Sequence, residues 1–174
     1  AFLLMERPKD APGSSVVAAM EGTRPLLVEV QALCVGTTFG NPRRTATGVD
    51  ATRCCVLAAV LEKRAGLCLG DQDLFINVAG GVNLSEPAAD LGVALAVASS
   101  FRNIPIHADL ISFGEVGLSG ELRGVQHVEA RIREAQKLGY RRVLMPKQAV
   151  VDVPSGIELM MASGIGEAIE LALR

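Results

Sequence analysis

The sequence predicts a single α/β domain, and three observations carry that prediction. After an opening pair of strands, apolar runs of strand length alternate with segments whose apolar residues recur at helical spacing, the element order of an α/β unit. The 174 residues suit one domain, and 49% hydrophobic with 21% charged residues are enough for a full core. Aromatics are scarce, with no Trp, one Tyr and five Phe. The core must therefore be packed from Val, Leu, Ile and Ala, the material of close helix–sheet contacts.

Each element follows in order. After a loop with Pro8, Pro12 and Gly13, SSVVAAMEGTRPLLVEVQALCV predicts a β-hairpin, about 14–20 and 26–35, turned at Glu21-Gly22-Thr23-Arg24-Pro25. GTTFGNPRRTATG reads as a loop, with Gly36, Gly40, Pro42 and Gly48 around two arginines. Residues 49–65 form a helix whose last turn holds Glu62, Lys63 and Arg64 and which Gly66 ends; its cations face the negative end of the dipole. DLFINVAG (73–80) is a strand whose unbroken apolarity predicts burial on both faces. In NLSEPAADLGVALAVASS a polar approach and Pro87 lead into a helix, about 87–101, apolar enough to be buried all round; Ser85 is placed to cap it.

ADLISFGEVGLSGEL is strand-like, with turns at Gly114, Gly117 and Gly120. Val125, Val128, Ile132, Ala135 and Leu138 then recur at helical spacing up to Gly139, and Glu129 and Arg133 form an i,i+4 surface pair. RRVLMP is a short strand cut by Pro146, IELMMA another, and GIGEAIELALR a closing helix.

Seventeen Lys and Arg against 19 Asp and Glu leave a formal charge of −2, so nucleic-acid binding would need a local patch. No apolar run reaches the roughly 18 residues of a membrane helix. The opening AFLLMERPKD lacks the parts of a signal peptide, and without an initial Met it reads as a segment of a longer chain. Cys34, Cys54, Cys55 and Cys68 form no C-x-x-C pair and read as buried thiols of a reducing cytosol. His107 and His127 stand at no ligand spacing to them, so no metal site is expected. There is no P-loop, no G-x-S-x-G and no H-E-x-x-H. Ser112 and Ser119 have no evident base, and Lys9, Lys63, Lys137 and Lys147 read as solvated surface charges.

Several blocks carry a family resemblance: FLLMERPKDAPGSSVVAAMEGTRPLLVEVQALC, FGNPRRTATGVD, LAAVLEKRAGL, INVAGGV, EPAADLGVALAVASS and FGEVGLSGELRGV. Together they resemble the C-terminal domain of the RadA (Sms) family of bacterial DNA-repair and recombination ATPases, a domain similar to the proteolytic domain of Lon. The resemblance implies a ribosomal-protein-S5-domain-2-like α/β (α+β) fold over 14–174, with 1–13 as a connecting segment. It also implies that the family's zinc motif and RecA-like ATPase, and with them Zn, ATP and Mg, lie outside this chain, which would hold no cofactor of its own.

Lon-type proteases place a catalytic Ser in a Pro-Ser-Ala-Gly turn at a helix start and a catalytic Lys on a helix after a Gly-Glu strand. Here the turn reads Pro87-Ala88-Ala89-Asp90, so Ala88 stands at the Ser position, and counting on from Gly114-Glu115 puts Glu129 at the Lys position. A Ser nucleophile needs a neighbouring base, and neither partner is present. The resemblance then implies a non-catalytic domain, cytoplasmic and not membrane-bound, that assembles as a hexameric ring. Its implied partners are DNA, single-stranded in the first instance, and the recombinase RecA through the full-length protein. Candidate phosphate-binding residues are Arg43 and Arg44 on the Gly/Pro-bounded loop, the pair Arg141 and Arg142, and Arg102; Arg53 is a candidate subunit contact. The alternatives are a pure oligomerisation scaffold and a residual Ser peptidase.

Overall fold

The computed structural model describes residues 10–173. The opening hairpin forms as the sequence predicts, β1 (Ser14–Glu21) against β2 (Arg24–Gly36), antiparallel with Val17 opposite Val28. The loop expected between 36 and 48 contains a strand, β3 (Arg44–Thr47), that runs parallel to β4 (Gln72–Val78). Helix α1 (Ala51–Ala65) lies between them; Asp50 caps its N-terminus by accepting from Arg53 N, and Gly66 closes it in the left-handed region at φ 73°. The chain then passes Pro87–Ala89, a single 3-10 turn, into α2 (Asp90–Arg102). Next come β5 (Leu110–Ser112), the small hairpin β6 (Glu115–Val116) and β7 (Leu122–Arg123), α3 (Val128–Lys137), β8 (Arg142–Pro146), β9 (Glu158–Ala162) and α4 (Ile165–Ala172).

Among the described residues seven strands form one mixed sheet in the order β3-β4-β2-β1-β5-β8-β9. Only β2 runs against the others, so four of the six neighbouring pairs are parallel. Six strands therefore end at one edge of the molecule, where all four helices begin. Helices α1, α2 and α4 cover one face, packing Leu57, Leu61, Leu91, Leu95 and Ile169 on Val17, Val28, Val30 and Ile76. Helix α3 covers part of the other, packing Val128, Ile132 and Ala135 on Val16, Ala18, Phe113 and Val143. Each fully buried aliphatic side chain contributes about 1.5–3 kcal/mol.

Helix α2 is sheathed on every side, with all residues from Asp90 to Ser99 buried, as its apolarity requires. Strand β4 departs from expectation: Leu74, Ile76 and Val78 are buried, but Phe75 and Asn77 are exposed. Among the described residues no layer covers them, because α3 sits over β1 and the Leu27 end of β2 instead. The thiols also differ from the uniform burial expected, since Cys54 is buried, Cys34 half-buried, and Cys55 and Cys68 exposed; all are free. Among the described residues no helix is long and apolar enough to cross a membrane. Of the connecting segment expected at 1–13, residues up to 9 lie outside the described ones, Lys9 with them.

Candidate functional site

The edge where parallel strands end and helices begin is where α/β folds place their ligands. Two adjoining recesses open there, about 580 Å³ and 450 Å³, and Glu86, Pro87 and Glu115 line both. The larger lies between the first turns of α1 and α2, walled by Val49, Leu57, Leu84 and Val93. At its base Arg53 Nε donates to Asp90 Oδ1 at 3.0 Å, and its Nη2 donates to Asp90 Oδ2 and, at 2.9 Å, to the Val116 carbonyl. The Val116 N–H donates to the same Asp90 oxygen at 3.1 Å. Hydrogen bonding to Asp90 raises the Arg53 pKa further, so the guanidinium stays charged. Arg53 thus ties α1 to α2 within one chain.

The smaller recess holds Ala88. Its carbonyl accepts from Gly114 N at 2.8 Å, while Leu91 N donates back to Gly114 O at 3.0 Å, fixing the start of α2 against the end of β5. Its side chain is a buried methyl with no hydrogen-bonding capacity. Ser85 is exposed and does not cap this helix; Ala89 holds the N-cap position of α2 and Glu86 that of the 3-10 turn before it, neither with a side-chain cap bond among the described residues. The Glu86 carboxylate faces elsewhere, accepting from Met20 N at 3.0 Å and from both terminal nitrogens of Arg131 at 2.7 and 3.1 Å.

Arg131, which the sequence reading passed over, is the best-connected polar side chain of the domain. Besides Glu86 it donates to Gln126 O at 3.0 Å and Ala18 O at 2.7 Å, its guanidinium stands 5.7 Å from the Phe113 ring centre, and it is 2% exposed. It lines the recess with Ala88. Glu129, the position reached by counting, turns the other way: its carboxylate accepts from Val151 N at 3.1 Å instead of pairing with Arg133. The sequence did hold a signal for Arg131, which lies within the apolar arc Val128, Ile132, Ala135, where a cation survives only with partners. Ser112 is fully buried and among the described residues its hydroxyl has no partner, and Ser119 is exposed, its backbone N–H donating to Glu121. Lys63, Lys137 and Lys147 are exposed, as expected.

The five candidate arginines gather at the opposite edge, where β3 and β8 start and α2 ends. Arg43 is exposed; its backbone N–H donates to Asp73 at 2.8 Å, a bond that, with the Thr37 hydroxyl, holds the Asp73 carboxyl below the usual range. Arg44 is committed to the backbone, donating to the carbonyls of Gln72 and Leu69. Arg102 pairs with Glu170 at 2.9 Å and Arg142 with Asp109 at 3.6 Å. Arg141 is exposed. Among the described residues Arg43 and Arg141 enter no ion pair, and five strand spacings put them about 24 Å apart. Among the described residues no group of three or more His, Cys, Asp or Glu could hold a metal ion.

This α/β chain belongs to the family whose model is described as subunit ChlI of Mg-chelatase, matched over residues 44–149, more than half its length. Its similarity to individual proteins extends further. It is 51% identical to the DNA repair protein RadA of Halalkalibacterium halodurans over 99% of this chain and 38% of that protein. It is 50% identical to RadA of Bacillus subtilis and 49% to RadA of Listeria monocytogenes, with coverage of 99% and 98% of this chain and 38% of each relative. The chain thus spans under two-fifths of the curated relatives it matches.

Proposed function

We propose that this chain is a Lon-like, ribosomal-protein-S5-domain-2-like domain that carries no proteolytic chemistry and serves a RadA-type DNA-repair protein as a ring-forming, phosphate-binding module. Identity near 50% to RadA proteins across almost the whole chain supports the DNA-repair setting. The observation that carries the non-catalytic reading is a pair of residues that line the smaller recess. Ala88 offers a methyl where acyl transfer needs an alcohol. Arg131 offers a guanidinium, which has donors and no acceptor, and those donors are already engaged with Glu86, Ala18 and Gln126. The cleft is inherited architecture that now clamps α3 to β1 and to the entry of α2.

In this reading the arginine edge does the binding. Repeated around a hexamer, Arg43 and Arg141 present phosphate-binding cations on each copy, and the weak surface pairs of Arg102 and Arg142 open at little cost to add to them. Single-stranded DNA is held through its backbone, in recombination and branch migration. ATP, Mg and Zn act in other parts of the protein, and RecA is met through the full-length protein in the bacterial cytoplasm. The commitment of Arg44 to two backbone carbonyls favours the competing reading, a scaffold that does not touch DNA.

The test is anisotropy of a labelled oligothymidylate with the wild-type chain and with Arg43→Ala/Arg141→Ala across a salt series. Each phosphate contact removed should flatten the slope of log K against log salt by about 0.7. An unchanged slope leaves the scaffold.

A further inference from the structure

The loop that leads into Arg43 presents a second kind of group, one that phosphate binding leaves unused. Of the four phenylalanines among the described residues, Phe113 is fully buried, Phe101 half-buried and Phe75 39% exposed, whereas Phe39 is 88% exposed. Water surrounds most of the Phe39 ring, so it adds little to the core, and covering it with a partner is favourable. It stands between the end of β2 and the start of β3, on the arginine edge.

This loop is braced. Its neck closes on one atom, since Asp73 Oδ1 accepts from the Thr37 hydroxyl at 3.0 Å and from Arg43 N at 2.8 Å. Thr37 N donates to Asp71 O and Leu74 N to Arg43 O, both at 2.8 Å. Arg44 ties the same base to the carbonyls of Gln72 and Leu69. Residues 38–42 therefore project as a held tip, turned just after the ring by Gly40 in the left-handed region at φ 81°.

The chemistry of the tip selects its partner. Residues 36–48 hold no Asp or Glu, and Arg43 at the neck is exposed. An apolar protein surface would cover the ring but strand the guanidinium away from water. A nucleic-acid strand satisfies both, because a base stacks on an aromatic ring while a cation follows the phosphates. In a duplex the base faces are shut inside the stack, and reaching them costs unpairing. A stacking ring therefore gains its contact on an unpaired strand.

We propose that Phe39 stacks on an unpaired base of the bound strand, and that this contact makes the chain prefer single strands to duplex. The inference rests on the phosphate-binding reading above and adds what that reading lacks, since cations alone hold either form of DNA.

Anisotropy with three labelled probes tests it: an oligothymidylate, an abasic strand of the same length, and a blunt-ended duplex. Each is titrated with the wild-type chain and with Phe39→Ala, Phe39→Leu and Phe39→Tyr, whose folding is checked by circular dichroism. Losing one stacked base should weaken oligothymidylate binding by about five- to a hundred-fold in Phe39→Ala, with the salt slope unchanged. Phe39→Tyr should restore the affinity and Phe39→Leu should not, because only the former keeps an aromatic face. The abasic strand and the duplex should bind all four chains alike. Full affinity in Phe39→Ala, an equal loss on the abasic strand, or rescue by Leu as complete as by Tyr would each overturn the proposal. A wild type that holds the abasic strand as tightly as oligothymidylate would overturn it as well, while leaving the phosphate contacts in place. The salt slope of Arg43→Ala/Arg141→Ala reads those contacts separately, so the two ideas fail on different measurements.

Discussion

Arg131 shows how one side chain can hold three elements. Its Nη1 reaches Ala18 on β1, both terminal nitrogens reach Glu86 before α2, and its Nε returns to Gln126 at the entry of its own helix. A guanidinium at 2% exposure is tolerated because these acceptors replace its water. Truncation strands the Glu86 carboxylate, which stays a quarter exposed and so partly solvated. Arg131→Met should cost about 2–4 kcal/mol in urea denaturation, the lower part of the range for a broken buried pair reflecting that exposure. Ala88→Ser should leave an unfolded protein substrate intact, because the added hydroxyl meets no base; cleavage by this variant would refute the clamp reading of the recess. The methyl at Ala88 was legible in the sequence as a residue type at a position. The partner was not, since counting along the chain landed on Glu129, and only the helix face separates a residue turned to Val151 from one turned to Glu86.

At the scale of elements, long periodic segments were readable and short edge ones were not. The hairpin and the four helices follow from alternation, capping and glycine punctuation. Strand β3 looked like a loop because Gly40, Pro42 and Gly48 crowd it, and its four residues are ordered by bonds to β4 that no local pattern encodes. Helix α2 holds a further feature invisible in a hydropathy profile. A Cβ built at Gly92 would stand 2.1 Å from Val17 Cγ2, so the mid-helix glycine lets α2 rest directly on β1. By propensity alone, Gly92→Ala should stabilise a helix by up to about 1 kcal/mol. Here overpacking should win, and the variant should lose about 1–3 kcal/mol in thermal or urea melts. A stabilised variant would mean that the contact between α2 and β1 is looser than described.

For the whole molecule, sequence indicated the class but not the direction. That six strands run one way, that the cleft lies at their ends, and that five arginines are spread along the edge of their starts follow only once the strand order is known. The same packing sets the behaviour of Cys54, which sits in α1 against the core beneath the larger recess. Desolvation pushes its thiol up from an ordinary value of 9.0 to about 12, with the neighbouring Cys55, Asp50 and Asp90 adding to the effect. A folded pKa above the unfolded one means that the unfolded chain releases its proton first. The stability this thiol supports is therefore complete below about pH 9 and drains as pH climbs from 9 toward 12. By pH 10.5 the loss from this group alone approaches about 2 kcal/mol, at no more than roughly 1.4 kcal/mol per pH unit. Urea denaturation at pH 8.5, 9.5 and 10.5 should show that slope as the difference between the wild type and Cys54→Val. In parallel, a thiol reagent at neutral pH should label Cys55 and Cys68 at once and reach Cys54 only at the rate of unfolding. Equal slopes, or rapid labelling of Cys54, would mean that α1 does not seal its inner face against the sheet.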